Sequence, residues 1–156
     1  MEAAQVMLDA LIGEWHGEGT VGMPTMGPIE FTEVVRFSRR DARSLDYWQR
    51  AVSADGSSEL LHGETGIWRL GSDGRLEVSI AFPGATEITE GTVSGGSVEL
   101  VSTAVGRAPT STRFVGARRR YHVSGDTLEY DADLESVNFP MSGHVHSALR
   151  RDPPGG

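Results

Sequence analysis

From Gly13 onward, turn-forming residues punctuate this chain at intervals of roughly ten residues, a spacing that suits short strands and leaves no room for the helix of a βαβ crossover. The punctuation includes Met23-Pro24, Gly27-Pro28, Asp55-Gly56, Ser72-Asp73-Gly74, Pro83-Gly84, Gly95-Gly96, Arg107-Ala108-Pro109, Gly125-Asp126 and Pro140. The pieces between predict ten strands, at 14–22, 29–38, 44–52, 59–70, 75–82, 85–94, 97–104, 111–123, 127–137 and 142–151. In 127–137, Leu128, Tyr130, Ala132 and Leu134 share one face, and Glu129, Asp131, Asp133 and Glu135 share the other. That period of two marks a strand with one dry face and one wet face. Ile88 against the flanking Glu87 and Thr89, and Leu76 and Val78 against Arg75 and Glu77, repeat it more weakly.

Ahead of the strands, Val6, Leu8, Leu11 and Ile12 are spaced for one short amphipathic helix ending at Gly13. A meander of ten strands behind one helix is all-β. Closing it into an antiparallel up-and-down β-barrel removes exposed edges, and a barrel wider than eight strands leaves room for a ligand. The first strand opens Gly13-Glu14-Trp15-His16-Gly17-Glu18-Gly19. Trp15 suits a plug for the closed end, while the glycines let the strand bend or a neighbouring backbone come close. Residues 1–151 are expected to form a single barrel domain, with Asp152-Pro-Pro-Gly-Gly156 a disordered tail.

Composition removes several chemistries. All 14 basic residues are Arg, so there is no Schiff-base lysine, and the absence of Cys rules out disulfides, thiolate ligands and covalent haem attachment. A net charge of −8 argues against a nucleic-acid or anionic-membrane surface. The start Met1-Glu-Ala-Ala-Gln-Val lacks the basic and apolar segments of a signal peptide, and no apolar run reaches membrane-span length, so a cytoplasmic protein is expected.

Five histidines are the main candidates for chemistry. His16 and His122 sit in mixed polar surroundings and read as surface residues. His62 shares a face with Leu60, Trp68 and Leu70, which suits a core histidine or a ligand-facing one. His144-Val145-His146 has the alternate spacing of a two-His metal site on a strand, with His62 or Glu64 as a third ligand. Arg118-Arg119-Arg120 must point at least one guanidinium away from the others, either to solvent or toward an anionic group at the barrel mouth.

Taken in order, several stretches resemble the nitrobindins, a family of haem-binding β-barrels related in shape to lipocalins and fatty-acid-binding proteins. The opening is similar to that family's Gly-x-Trp-x-Gly-x-Gly motif and is followed by Pro24-Thr25. Phe31-Thr-Glu-Val-Val-Arg-Phe37 and Tyr47-Trp-Gln49 look like its second and third strands. His62-Gly-Glu64-Thr-Gly66-Ile-Trp-Arg69 resembles its His-x-Glu-x-Gly-x-x-Arg stretch, and His144-Val-His-Ser-Ala-Leu-Arg-Arg151 its last strand. The chain departs from the family pattern at Met23, at Val21 and at Leu134, where relatives often carry Met.

The resemblance implies a ferric b-type haem with His144 as axial ligand, His62 and Leu61 on the opposite side of the ring, Phe37 and Leu134 in the pocket wall, and Thr25 near its opening. It turns His144 inward, whereas alternation alone makes Val145 and Leu149 the more apolar face. The activity implied is nitric oxide binding and isomerisation of peroxynitrite to nitrate, with His62 orienting the ligand, in a monomer or homodimer. The alternative is a haem-free carrier or sensor of a small hydrophobic ligand, with an inward Arg119 pairing with a ligand carboxylate.

Overall fold

The computed structural model describes residues 2–23, 26–111, 114–136 and 143–153. Helix α1 (Ala3–Leu11) precedes β1 (Gly13–Met23), β2 (Met26–Asp41), β3 (Ser44–Ser53), β4 (Leu60–Leu70), β5 (Leu76–Phe82) and β6 (Ala85–Gly91). There follow β7 (Val93–Ser94), β8 (Ser97–Arg107), β9 (Phe114–Ser124), β10 (Thr127–Ser136) and β11 (Gly143–Arg151). Strands pair antiparallel with their neighbours, β6 joins β8, and β1 closes on β11. β7 continues β6 past Thr92 in one register against β8, with Glu90 opposite Val101 and Val93 opposite Val98. The result is the ten-stranded closed barrel that the turn spacing predicts. Of the expected tail, residues 154–156 lie outside the described residues.

α1 packs across one end of the barrel, against β4, β7 and β9. Its buried stripe is Ala4, Met7, Leu8 and Leu11, the i, i+3, i+4, i+7 pattern of a helix with one dry face. Val6 was expected on that face and is instead 52 % exposed, because the stripe runs through its neighbour Met7. Trp15 seals the same end: it is fully buried, its indole N–H donates to the Leu11 carbonyl at 2.9 Å, and the Arg151 guanidinium lies 4.7 Å from its ring centroid. Gly17 and Gly19 answer to β11. A Cβ at Gly17 would collide with the Ala148 carbonyl, and one at Gly19 with the His146 carbonyl and the Phe31 ring. Neither takes a positive φ, so close approach explains them rather than a sharp turn.

Inward-facing rows stack in three levels, as the pairing registers show. Nearest α1, the interior is apolar: Trp15 pairs with Val35, Leu45 with Trp68, Trp68 with Val78, and Val123 with Leu128. Trp68 anchors this level, with ring centroids 5.1 Å from Phe37 and 4.9 Å from Tyr121. Above it runs a belt of buried polar groups comprising Glu33, Gln49, Glu64, Glu87, Arg119 and Ser147. Above the belt, Phe31, Leu61, Phe82, Leu134 and Val145 surround a cavity of about 250 Å³.

Candidate functional site

The cavity is built by strand alternation from many strands at once. Val21, Phe31, Phe82, Phe114, Leu134 and Val145 form its apolar wall, and Tyr47, Gln49, Glu64, Arg119, Tyr121 and Tyr130 its floor. His62 stands among the wall residues, its ring 5.6 Å from that of Phe82, which in turn meets Phe114 edge-on at 5.1 Å. Apolar walls with a few convergent polar groups are what a buried small-molecule site requires.

His62 does not act alone. Its Nε2 lies 2.7 Å from Glu64 Oε1; the imidazole is half-exposed and the carboxylate is buried. Burial alone would raise the Glu64 pKa. The Arg119 guanidinium, the His62 ring and the Tyr47 hydroxyl outweigh it and bring the value down to about 2. Tyr47 donates to Glu64 Oε2 at 2.9 Å, and Arg119 Nη1 approaches the same oxygen at 3.3 Å. An ionised carboxylate accepts and cannot donate, so His62 must carry its proton on Nε2. In the neutral tautomer Nδ1 is then left as an acceptor.

The rest of the belt falls into two clusters, one around Arg119 and one around Glu33. Arg119 Nη2 donates to Glu87 Oε1 at 2.6 Å, and the Ser102 hydroxyl donates to the other Glu87 oxygen. Glu33 accepts from Gln49 Nε2 at 2.7 Å, from the Tyr130 hydroxyl at 2.5 Å and from the Ser147 hydroxyl at 2.5 Å. Burial still raises the Glu33 pKa against those three donors.

Among the residues expected from sequence, Leu61, His62 and Leu134 line the cavity together. Phe37 does not. It is inward but lies in the apolar level near α1, opposite Gly13 and Tyr47 in register, and Phe31 occupies the wall position on β2 instead. Thr25 lies outside the described residues. The inward orientation expected for His144 is not what the structure has: Val145 takes the cavity side and the His144 ring lies on the outer face, half-exposed. The reason is register, since His144 pairs with Asp133 of the wet row of β10 while Val145 pairs with Ala132 of the dry row. His144 Nδ1 is 2.9 Å from Asp133 Oδ1, and His146 Nδ1 is 3.1 Å from Asp131 Oδ1. The hydrogen bond from His144, followed by that from Arg120, holds the Asp133 carboxyl below its usual range.

Among the described residues, the His and carboxylate atoms that converge as a metal site would are those of half-buried Glu14 and exposed His16 and Asp152, and His144 with His146 form no such group. Arg119 points inward as expected, yet its two Nη groups are already paired with Glu64 and Glu87, which leaves Nε as its unpartnered nitrogen. Alternation predicts Ile88 on a dry face against Glu87 and Thr89, and the structure reverses them: Ile88 is 45 % exposed, while Glu87 and Thr89 are buried because β6 turns their face inward. Glu33, Gln49 and Tyr130 carried no site assignment from sequence. Glu33 was detectable, because a carboxylate between Phe31 and Val35 interrupts an otherwise dry row.

The chain matches, over residues 5–151, the family model described as "THAP4-like, heme-binding beta-barrel domain". It is 40 % identical over 151 residues to peroxynitrite isomerase 2 of Mycobacterium marinum, covering 92 % of each chain. It is 37 % identical over 150 residues to the peroxynitrite isomerase of Streptomyces griseus, covering 92 % of this chain and 81 % of that one. The crystal structure of Rv2717c from M. tuberculosis superimposes with a TM-score of 0.85 at 33 % identity, over 96 % of this chain and 98 % of that one. An S-type phycobiliprotein lyase of Guillardia theta shares the fold alone, at a TM-score of 0.71 and 12 % identity. The chain therefore belongs to the family of THAP4-like haem-binding β-barrel domains, as its resemblance to the nitrobindins implied.

Proposed function

We propose that this chain carries a ferric b-type haem in the Phe31–Val145 cavity and isomerises peroxynitrite to nitrate, as the names of its mycobacterial and Streptomyces relatives suggest. The observation that carries the reading is an apolar cavity whose wall holds one imidazole, His62, fixed by a buried ionised carboxylate. The donor chemistry fits the group: an apolar wall shields a porphyrin face, and neutral imidazole is an ordinary haem-facing residue. Bound haem would supply the redox-active, Lewis-acidic iron that rearrangement of the oxidant to nitrate requires. The same iron would bind nitric oxide, which needs little polar help from the wall.

His62 is the residue we assign to orienting the oxidant. With Nε2–H held by Glu64, Nδ1 can accept from a protonated ligand or a water. Leu61, Phe82 and Leu134 line the cavity with it, while the other side of the half-exposed ring meets solvent. As iron ligand we retain His144, on the condition that its ring leaves the outer face. That move gives up half-exposed pairs with Asp133 and Asp131, each worth about 0–1 kcal/mol, and it also requires β11 to change its pairing with β10, because register now places Val145 on the cavity side.

Haem titration of the apoprotein tests the assignment through the Soret band. Loss of the band in His144→Ala with retention in His62→Ala supports it. The reverse pattern transfers the iron to the imidazole already in the cavity and refutes the role of His144. Nitrate yield from peroxynitrite, with and without haem, tests the activity. A yield unchanged by haem would sink it.

A further inference from the structure

The belt beneath the cavity holds three carboxylates, Glu33, Glu64 and Glu87, against one guanidinium, Arg119. Both terminal nitrogens of Arg119 are taken, Nη1 by Glu64 and Nη2 by Glu87. Glu33 has no cation within ion-pair distance among the described residues and is served only by Gln49, Tyr130 and Ser147. Gln49 is 5 % exposed and lines the cavity. It spends its Nε2 on Glu33, which leaves its Oε1 buried and without a donor. A buried amide oxygen in that condition has given up its hydrogen bond to water and received nothing in return. The stacked rings of Tyr121 and Tyr130, 5.1 Å apart, line the same floor.

We infer that the inner end of the cavity is a subsite for the hydrogen-bond-donating, uncharged or cationic headgroup of an apolar molecule, an alcohol or an ammonium. The head seats on Gln49 Oε1 beside Glu33, and the tail runs along Phe31, Leu134 and Val145. An anionic head is disfavoured because the two Nη groups of Arg119 already pair with Glu64 and Glu87, only Nε being left without a partner among the described residues, and the surrounding charge is negative. The barrel therefore differs from a fatty-acid carrier, whose inward arginine must be free. The inference does not depend on iron.

Haem-free protein, titrated at neutral pH with decanol, decylammonium and decanoate and followed by calorimetry and tyrosine and tryptophan fluorescence, provides the test. Decanol and decylammonium are expected to bind one per chain. Decanoate should bind about a hundredfold more weakly, since like charges side by side in a dry site cost two or more factors of ten. Decanoate matching decanol, or no binding by the alcohol and the ammonium, overturns the subsite. Gln49→Leu, with its fold verified by circular dichroism, should weaken decanol by roughly five- to tenfold. Unchanged decanol affinity in that variant refutes the seat on Gln49. Haem uptake by the same preparation is read separately from the Soret band, so failure of either proposal leaves the other standing.

Discussion

Replacing Arg119 with methionine keeps the apolar stem and deletes the guanidinium, leaving Glu64 and Glu87 together in a dry belt. Arg119 is 7 % exposed, with Nη1 3.3 Å from Glu64 and Nη2 2.6 Å from Glu87. At an effective dielectric near 20, the two attractions amount to about 5 and about 6 kcal/mol before the desolvation of three ions is set against them. Breaking such a group from one side costs about 3–5 kcal/mol, a large share of the ~5–15 kcal/mol that holds a domain folded.

The dependence on pH is the diagnostic. In the native protein the Glu64 pKa of about 2 lies below its ordinary 4.5. Its stabilisation is therefore complete above 4.5 and is lost as pH falls toward 2. Without Arg119, burial raises the Glu64 pKa against weaker opposition, and the sign turns over: stability is greatest below 4.5 and falls as pH rises. Urea denaturation followed by far-UV circular dichroism at about pH 4 and about pH 7 measures both effects. Arg119→Met should be markedly less stable than the native chain at the higher pH and recover at the lower. A loss below about 1 kcal/mol at both, with the native pH slope, would refute the reasoning. Combining it with Glu64→Gln and Glu87→Gln should restore most of the stability, because a buried ion group replaced as a whole by neutral residues is often neutral in effect.

Glu33→Gln tests the uncompensated carboxyl. A pKa raised above 4.5 makes the native contribution largest below 4.5 and smaller as pH rises through the raised value. The variant should therefore gain on the native protein in thermal melts as pH rises above 4.5, and a pH-independent difference contradicts the raised pKa. Trp15→Ala should cost about 3–5 kcal/mol in urea midpoints, as a fully buried ring leaving a cavity under α1, while haem uptake persists at low temperature. Gly17→Ala should cost about 1–3 kcal/mol, because its methyl group meets the Ala148 carbonyl and forces β1 from β11. A melt unchanged from the native one would show that the two strands can part freely.

Fold class was legible because it depends on local signals. The spacing of Gly and Pro turns set the number of strands, and the alternation of Leu128, Tyr130, Ala132 and Leu134 set which face is dry. Trp15 could be placed at the closed end because a buried indole beside glycines has few other uses in a small barrel. The pairing of His62 with Glu64 was accessible too, since residues two apart on a strand share a face. The placement of His144 shows the limit of carrying a role over by resemblance. Alternation within β11 already marked Val145 as the dry residue, and the barrel follows that parity.

What no local pattern contains is which rows meet inside the closed ring. Glu33, Glu64, Glu87 and Arg119 come from β2, β4, β6 and β9, and their shared belt follows from barrel closure and stagger. The sequence by itself determined a barrel of about ten strands, its plug, and a histidine, His62, on an apolar strand face. Only the tertiary structure decided that the Glu64 carboxylate stays ionised, that the inward arginine is already paired, and that Gln49 keeps an oxygen in want of a donor. Each of those depends on distances across the barrel, where burial strips away water and leaves every polar group to the partners that closure brings within reach.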